Sequence, residues 1–212
     1  MTLSAYAPAS IGNVSLGFDL LGAALKPVDG TLLGDQVEIL PASAFSLTVK
    51  GPFGHKLPAD PDTNIVTRCY HHFSAQCKKL SIPFGSCEMV LHKNLPIGSG
   101  LGSSASSIVA ALHALNVFAN TPFDNNTMLK MMGELEGQIS GSVHYDNVAP
   151  CYLGGLTLMA EQPDTIALQL PAFDNWYWVV CYSGISVSTA QARNILPRQV
   201  DMANTITFGR HW

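Results

Sequence analysis

Residues 96–105, Pro-Ile-Gly-Ser-Gly-Leu-Gly-Ser-Ser-Ala, restrict this chain more than any other stretch. Glycine occupies every second position, at Gly98, Gly100 and Gly102, between an apolar run ending near residue 92 and an apolar-periodic segment carrying Ile108, Ala111, Leu112, Leu115 and Phe118. Glycine accepts φ > 0 and lets another group approach the backbone. Placing three of them between a strand and a helix is costly unless something must sit there. An anion suits the position. The first-turn N–H groups of a helix have no intrahelical partner, and the aligned peptide dipoles put roughly +0.5 elementary charge at that end. The residues Pro96, Ile97, Gly98, Ser99, Gly100, Leu101, Gly102, Ser103, Ser104, Ala105 and Ser106 are therefore expected to form a phosphate cradle.

Other glycine-rich loops fit less well. A Walker loop needs Gly-Lys-Ser/Thr at its end, whereas Ser103 follows Gly102. A dinucleotide fingerprint needs glycine at position 103. A nucleophile elbow needs a glycine two residues beyond its serine, and Ser106 stands there for Ser104. A serine hydrolase built on Ser104, His144 and Asp146 is correspondingly weak.

The 212 residues suffice for one sizeable domain, or for one and part of another, and 47% apolar with 12% charged content indicates a substantial core. The net charge of -4, without a lysine- or arginine-rich run, gives no nucleic-acid footprint. Five cysteines without a C-x-x-C pair read as reduced, mostly buried thiols. The opening residues lack a basic n-region, and no window of about 18 apolar residues occurs. Neither a signal peptide nor a membrane span is expected, and the chain reads as cytoplasmic.

Taken in order, residues 2–7, 35–40, 45–49 and 86–92 pattern as strands. A helix runs from Ile65 to Cys77, capped by Asp62 or Thr63. Its adjacent His71 and His72 point about 100° apart, so they form no two-ligand face and read as surface residues. The helix after the cradle ends near Asn120, and another, capped by Asp124, spans 124–137. Glu134 and Glu136 oppose the dipole at its C-terminal end, so one of them is expected to have another task. Asn13 and Asp19, set among apolar neighbours, either cap a turn or face a site. Residues 141–150 read as a polar site loop. Residues 153–160, 166–170 and 176–182 read as strands, 188–196 as a short helix capped by Ser188, and 198–212 as weakly patterned.

The run from 96 to 105 resembles the phosphate-binding motif of the GHMP kinases. Residues 6–19, 133–137, 140–150 and 188–193 are similar to the branch of that family that phosphorylates L-homoserine, and the likeness extends over about residues 4–196. The resemblance implies an α+β fold. A GHMP-kinase N-terminal ATP-binding domain of the ribosomal-protein-like type would span 1–170, and 171–212 would begin a ferredoxin-like second domain that is mostly missing. It further implies ATP and Mg2+, with Ser104 and Glu136 similar to the magnesium ligands, and L-homoserine as the acceptor. Asn13, Asp19, His144, Asn147 and Arg193 match positions that contact the amino acid. An aspartate suits the α-ammonium and an arginine can fork onto the α-carboxylate. Catalytic roles are implied for Glu136, Asn147 and Asp146. Asp146 acts as a general base, or the phosphate takes the proton and Asp146 only orders its loop. The family's third glycine-rich motif and a further arginine have no counterpart. A nucleotide-binding fragment without efficient catalysis is therefore the alternative. The uncovered sheet face would favour association, a homodimer among its outcomes.

Overall fold

The computed structural model describes residues 2–15, 17–58, 60–162, 164–172, 175–185, 194–197 and 199–210. Its elements in chain order are β1 (Leu3–Pro8), β2 (Ser10–Gly12), β3 (Leu21–Ala24), β4 (Gly34–Pro41), β5 (Ser46–Lys50), α1 (Ile65–Lys79) and β6 (Cys87–His92). There follow α2 (Ser103–Phe118), α3 (Asn125–Ser140), α4 (Val148–Leu153), β7 (Leu156–Gln162), β8 (Thr165–Leu170) and α5 (Met202–Arg210).

Period-two alternation builds the first sheet, ordered β1-β4-β6-β5. Its register sets Ala5 opposite Val37, Val37 opposite Leu91 and Ile39 opposite Met89, so one face carries all of these buried side chains. The pair β5/β6 is parallel, with α1 as the crossover between them; the other pairs are antiparallel. Small Ala5 and Ala7 leave room for α2 to lie on β1 and β4. The sequence predicts one apolar stripe on α2, but Ala110, Ala114, Ser106 and Ser107 are buried as well. Such small residues let α1, α3, α4 and the sheet close on it from several sides, as a core helix requires. The second sheet, β2-β3-β7-β8, is antiparallel throughout.

Several expectations change. Asn64 caps α1, its Oδ1 accepting from the Val66 amide (2.9 Å), because Asp60 to Thr63 are taken by a preceding 3₁₀ turn that Asp60 caps. The last three residues of the expected loop at 141–150 are helical: α4 begins at Val148 and takes in Leu153, and Gly154 at φ +81° ends it. Residues 176–182 form no strand. Their aromatic and β-branched composition meets strand propensity, but a strand also needs a neighbour for its N–H and C=O groups, and none pairs with it among the described residues. Val179 is 97% exposed. The weakly patterned tail holds α5, exposed along its length, whose first turn is capped by Asp201 Oδ1. Most of the helix expected at 188–196, Arg193 included, lies outside the described residues. Among the described residues no helix is long and apolar enough to cross a membrane. All five cysteines are free and only Cys181 is exposed; burial pushes the Cys87 thiol up to about 11, away from reactivity.

Candidate functional site

The three cradle glycines all adopt positive φ: +68° at Gly98, +75° at Gly100 and +61° at Gly102. Gly102 is the N-cap residue of α2 and supplies no side-chain cap, so the amides of the first turn stay uncapped toward the loop. Leu95 and Leu101 peg the loop's two sides into a small apolar cluster with Ala9 and Leu25. Ser10 N donates to Leu101 O (3.1 Å), and Ser99 Oγ donates to Pro96 O (2.8 Å). A Cβ at Gly100 would meet no atom within 4 Å, so this glycine faces open space. Gly100→Val should therefore meet no steric clash and lose only about 1–2 kcal/mol to left-handed strain. The isopropyl group would enter the space expected to take an anion, so phosphate-ligand affinity measured by calorimetry should fall at least about tenfold.

The serines divide by direction. Ser106 is buried; its hydroxyl donates to Ala7 O (2.8 Å) and accepts from Asp35 N (2.8 Å), so it binds the helix to the sheet. Ala105 also turns into the core, and Ser103 Oγ donates back to Leu95 O (3.3 Å). Half-buried Ser104 is different: its Oγ donates to Glu136 Oε1 at 2.7 Å.

Of the two acidic residues late in α3, Glu134 pairs with half-buried His72 (3.2 Å), whereas Glu136 turns to Ser104. Glu136 is 6% exposed at the C-terminal part of α3, and its Oε2 has no hydrogen-bond partner. Burial pushes its carboxyl above the usual carboxylate range, against the pull of the Ser104 hydroxyl and of His144. A buried carboxylate oxygen without a partner, beside a hydroxyl at the start of the helix that follows the glycine loop, fits a hard divalent cation. Among the described residues no cluster of three or more His, Cys, Asp or Glu could hold a metal, so no closed protein cage exists. Two oxygen donors, with the remainder from water and phosphate, suit Mg2+ in particular.

Residues 144–147 are pressed against this pair by glycines. A Cβ at Gly133 would run into the Tyr145 ring, and one at Gly137 would crowd Val143, so the loop rests on α3 beside Glu136. Glycine inside a helix costs about 1 kcal/mol relative to alanine, which the close approach offsets. Gly12 leaves space for the Asp146 carboxylate and the Asn147 amide, and Gly22 for the Asp146 carbonyl. Asn147 Oδ1 accepts from Ser10 Oγ at 3.1 Å and lies beside Gly102, so it joins the loop to the start of α2.

His144 is buried. Its Nδ1 donates to Asp146 Oδ1 (2.8 Å), and its Nε2 lies 2.9 Å from Ser140 Oγ. Ser140, His144 and Asp146 have the connectivity of a catalytic triad, but Ser140 is itself buried and the carbonyls of Glu136 and Ser142 lie within reach of its hydroxyl (3.0 and 2.9 Å). It is an anchor and no exposed nucleophile. Ser104, the serine of the hydrolase reading, bonds to Glu136. Asn13 and Asp19 come together: Asn13 Oδ1 accepts from the Asp19 amide (2.8 Å), and both have φ near +55° (+54° and +55°). Asn13 thus closes the turn that leaves Gly12, next to Asp146 and Asn147. The structure brings together Ser104, Glu136, Asp146 and Asn147 with the cradle, and says nothing of Arg193.

Sequence reasoning passed over three residues that organise the site: Ser10, Asp35 and Lys93. A signal for the last two was present. Asp35 keeps the inward phase of Val37 and Ile39, and Lys93 that of Met89 and Leu91. The antiparallel register that pairs Val37 with Leu91 brings those two positions together one step on.

Residues 64–155 match a family model described as the GHMP kinases N terminal domain. That stretch runs from the α1 cap to the glycines after α4 and contains the cradle, Glu136 and residues 144–147. Among solved structures, homoserine kinase from Cytophaga hutchinsonii aligns with a TM-score of 0.79 and 31% identity, over 97% of this chain and 63% of that one. A Listeria monocytogenes structure described as a homoserine kinase aligns at 21% identity and TM-score 0.63, again over 97% of this chain and 63% of that one. The mevalonate kinase of Methanococcus jannaschii aligns at 16% identity and TM-score 0.56, over 81% of this chain and 56% of that one. The last two share the fold. The chain spans 63% of the length of the two homoserine-kinase structures it matches.

Proposed function

The chain carries a GHMP kinase N-terminal domain, and from that premise we propose that it moves the terminal phosphoryl group of ATP to the side-chain hydroxyl of L-homoserine. The products are ADP and O-phospho-L-homoserine. One observation carries the reading: three left-handed glycines open an uncapped helix N-terminus beside a buried, half-partnered carboxylate. The choice of acceptor is supported by the 31% identity to the Cytophaga hutchinsonii homoserine kinase.

Phosphoryl transfer depends mainly on positioning and charge stabilisation. In this reading, main-chain amides of residues 98–104 bind and orient the ATP phosphates. Ser104 and Glu136 hold Mg2+, which when bound neutralises charge on the phosphate oxygens. Asn147, tied to Ser10, orients the acceptor hydroxyl. Asp19 receives the α-ammonium, with Asn13 setting its backbone, and Arg193 forks onto the α-carboxylate. His144 holds the Asp146 carboxylate beside Asn147. Asp146 takes the proton released by the hydroxyl, and an intact rate in Asp146→Asn would pass that role to the phosphate. Residues 1–170 are the ATP-binding domain in this scheme, and 171–212 begin a second.

The test is ADP release with and without L-homoserine, beside calorimetry of MgATP binding. Homoserine-dependent ADP formation supports the proposal, and absence of ATP binding rejects it. Binding without turnover favours a second reading, a nucleotide-binding unit without efficient transfer. Arg193→Met should raise the homoserine KM at least about tenfold, as loss of a charge-paired contact does, with little change for ATP. Equal effects on both substrates would place Arg193 elsewhere.

A further inference from the structure

We infer that the buried Asp35–Lys93 pair is a positioning device that clamps both ends of the phosphate cradle. The inference rests on the kinase reading only for the identity of the ligand; the clamp itself is a matter of loop geometry.

Both residues are fully enclosed, Asp35 at 0% and Lys93 at 2% exposure. Asp35 Oδ1 accepts from the amides of Asn94 (2.8 Å) and Leu95 (3.0 Å), where the chain leaves β6 and enters the cradle. Lys93 Nζ donates to Ser103 O at 2.7 Å, where the cradle becomes α2. Between these two ends, Nζ meets Asp35 Oδ2 (2.5 Å), and Ser107 Oγ donates to the same Oδ2 (2.6 Å) and lies 3.1 Å from Nζ. One ion pair therefore reaches the first and last residues of a loop whose middle holds three glycines.

A buried ion pair is a poor source of net stability, since desolvation offsets the attraction, and apolar replacements of similar size often do as well. Its value here is geometric. Glycine gives the loop conformational freedom that binding would otherwise have to remove. Fixing the two ends limits the shapes open to residues 96–102 and holds the α2 amides in place before any ligand arrives. It also fixes Ser104, one residue beyond Ser103, against Glu136.

The test compares the whole chain with Lys93→Met and with the double variant Asp35→Asn/Lys93→Met. The single variant leaves a buried carboxylate unpaired and is expected to lose stability. The double variant removes both charges, keeps an acceptor for the Asn94 and Leu95 amides, and releases Ser103. It should melt close to wild type. Its amides at Asn94, Leu95 and Ser106, hydrogen-bonded in the wild type, should exchange hydrogen at least about tenfold faster, and its ATP dissociation constant should rise at least about tenfold. Unchanged exchange at Asn94, Leu95 and Ser106 in the folded double variant overturns the clamp. So does failure of the double variant to fold, because the pair would then hold the whole domain and not the loop. If wild type binds no ATP, the kinase reading fails, while the exchange comparison still decides the clamp.

Discussion

Glu136→Gln is expected to remove most magnesium-dependent turnover while making the protein more stable. Its carboxylate sits at the cradle with one oxygen satisfied by Ser104 and the other unpartnered. The amide keeps an acceptor for the Ser104 hydroxyl but carries no charge for a cation. Loss of one charge-stabilising group in an active site costs on the order of 10²- to 10³-fold in rate, and kcat/KM measured with saturating Mg2+ should fall in that range. ATP binding measured in EDTA should change little. Stability moves the other way because burial holds the Glu136 carboxyl above the usual carboxylate range. The folded state binds that proton more tightly than the unfolded chain does. The side chain's contribution is therefore fully favourable below the ordinary carboxylate range and is lost as pH rises through the raised value. Melting temperatures of wild type and variant should nearly coincide in acid and separate toward neutral pH, with the variant higher. The same proton competes with the cation, so Mg2+ affinity should weaken as pH falls through that raised value. Equal turnover in wild type and variant, or a variant that melts lower at neutral pH, would remove Glu136 from the site.

The second large effect is expected from Gly102→Ala. Gly102 has φ +61°, and a Cβ there would run into Ser10 Oγ and lie 3.0 Å from Asn147 Oδ1. Left-handed strain adds about 1–2 kcal/mol, and loss of the Ser10–Asn147 bond about 1 kcal/mol. Denaturant titration should show a loss of roughly 2–3 kcal/mol. Both partners of the broken bond belong to the proposed machinery, so homoserine-dependent turnover should collapse with it. Adding Ser10→Ala removes the colliding oxygen and leaves its Cβ at 3.3 Å. The double variant should be no less stable than Gly102→Ala alone, because both lack the Ser10–Asn147 bond and both keep the strain. A further loss on adding Ser10→Ala would mean that the bond survives in Gly102→Ala and that the collision is not the cause.

How legible the site was depended on the range of the interaction. The cradle is a local object: backbone conformation, glycine freedom and a helix N-terminus all lie within about ten residues, and the three glycines take the left-handed conformations expected of them. The unfavourable place of Glu136 on its helix was likewise a local signal. What it touches was not, because Ser104 is 32 residues away. The Asp124 cap was legible, while the Asn64 cap was misplaced by one or two residues: a 3₁₀ turn competes for the same capping side chains, and the pattern does not say which turn forms. Residues 176–182 have the composition of a strand without a strand beside them. Propensity belongs to the segment, whereas a ladder belongs to two.

The amino-acid order alone settled where the glycine loop lies, which strand and helix flank it and that Glu134 and Glu136 both oppose their helix dipole, since each follows from contacts between near neighbours along the chain. Only the tertiary structure decided that Ser106 faces the sheet while Ser104 faces Glu136. It also decided that His144 is spent on Ser140 and Asp146, and that Asp35 and Lys93 meet beneath the loop. Those facts depend on strand register and on how closely glycines let segments approach, and both are set when distant parts of the chain pack together.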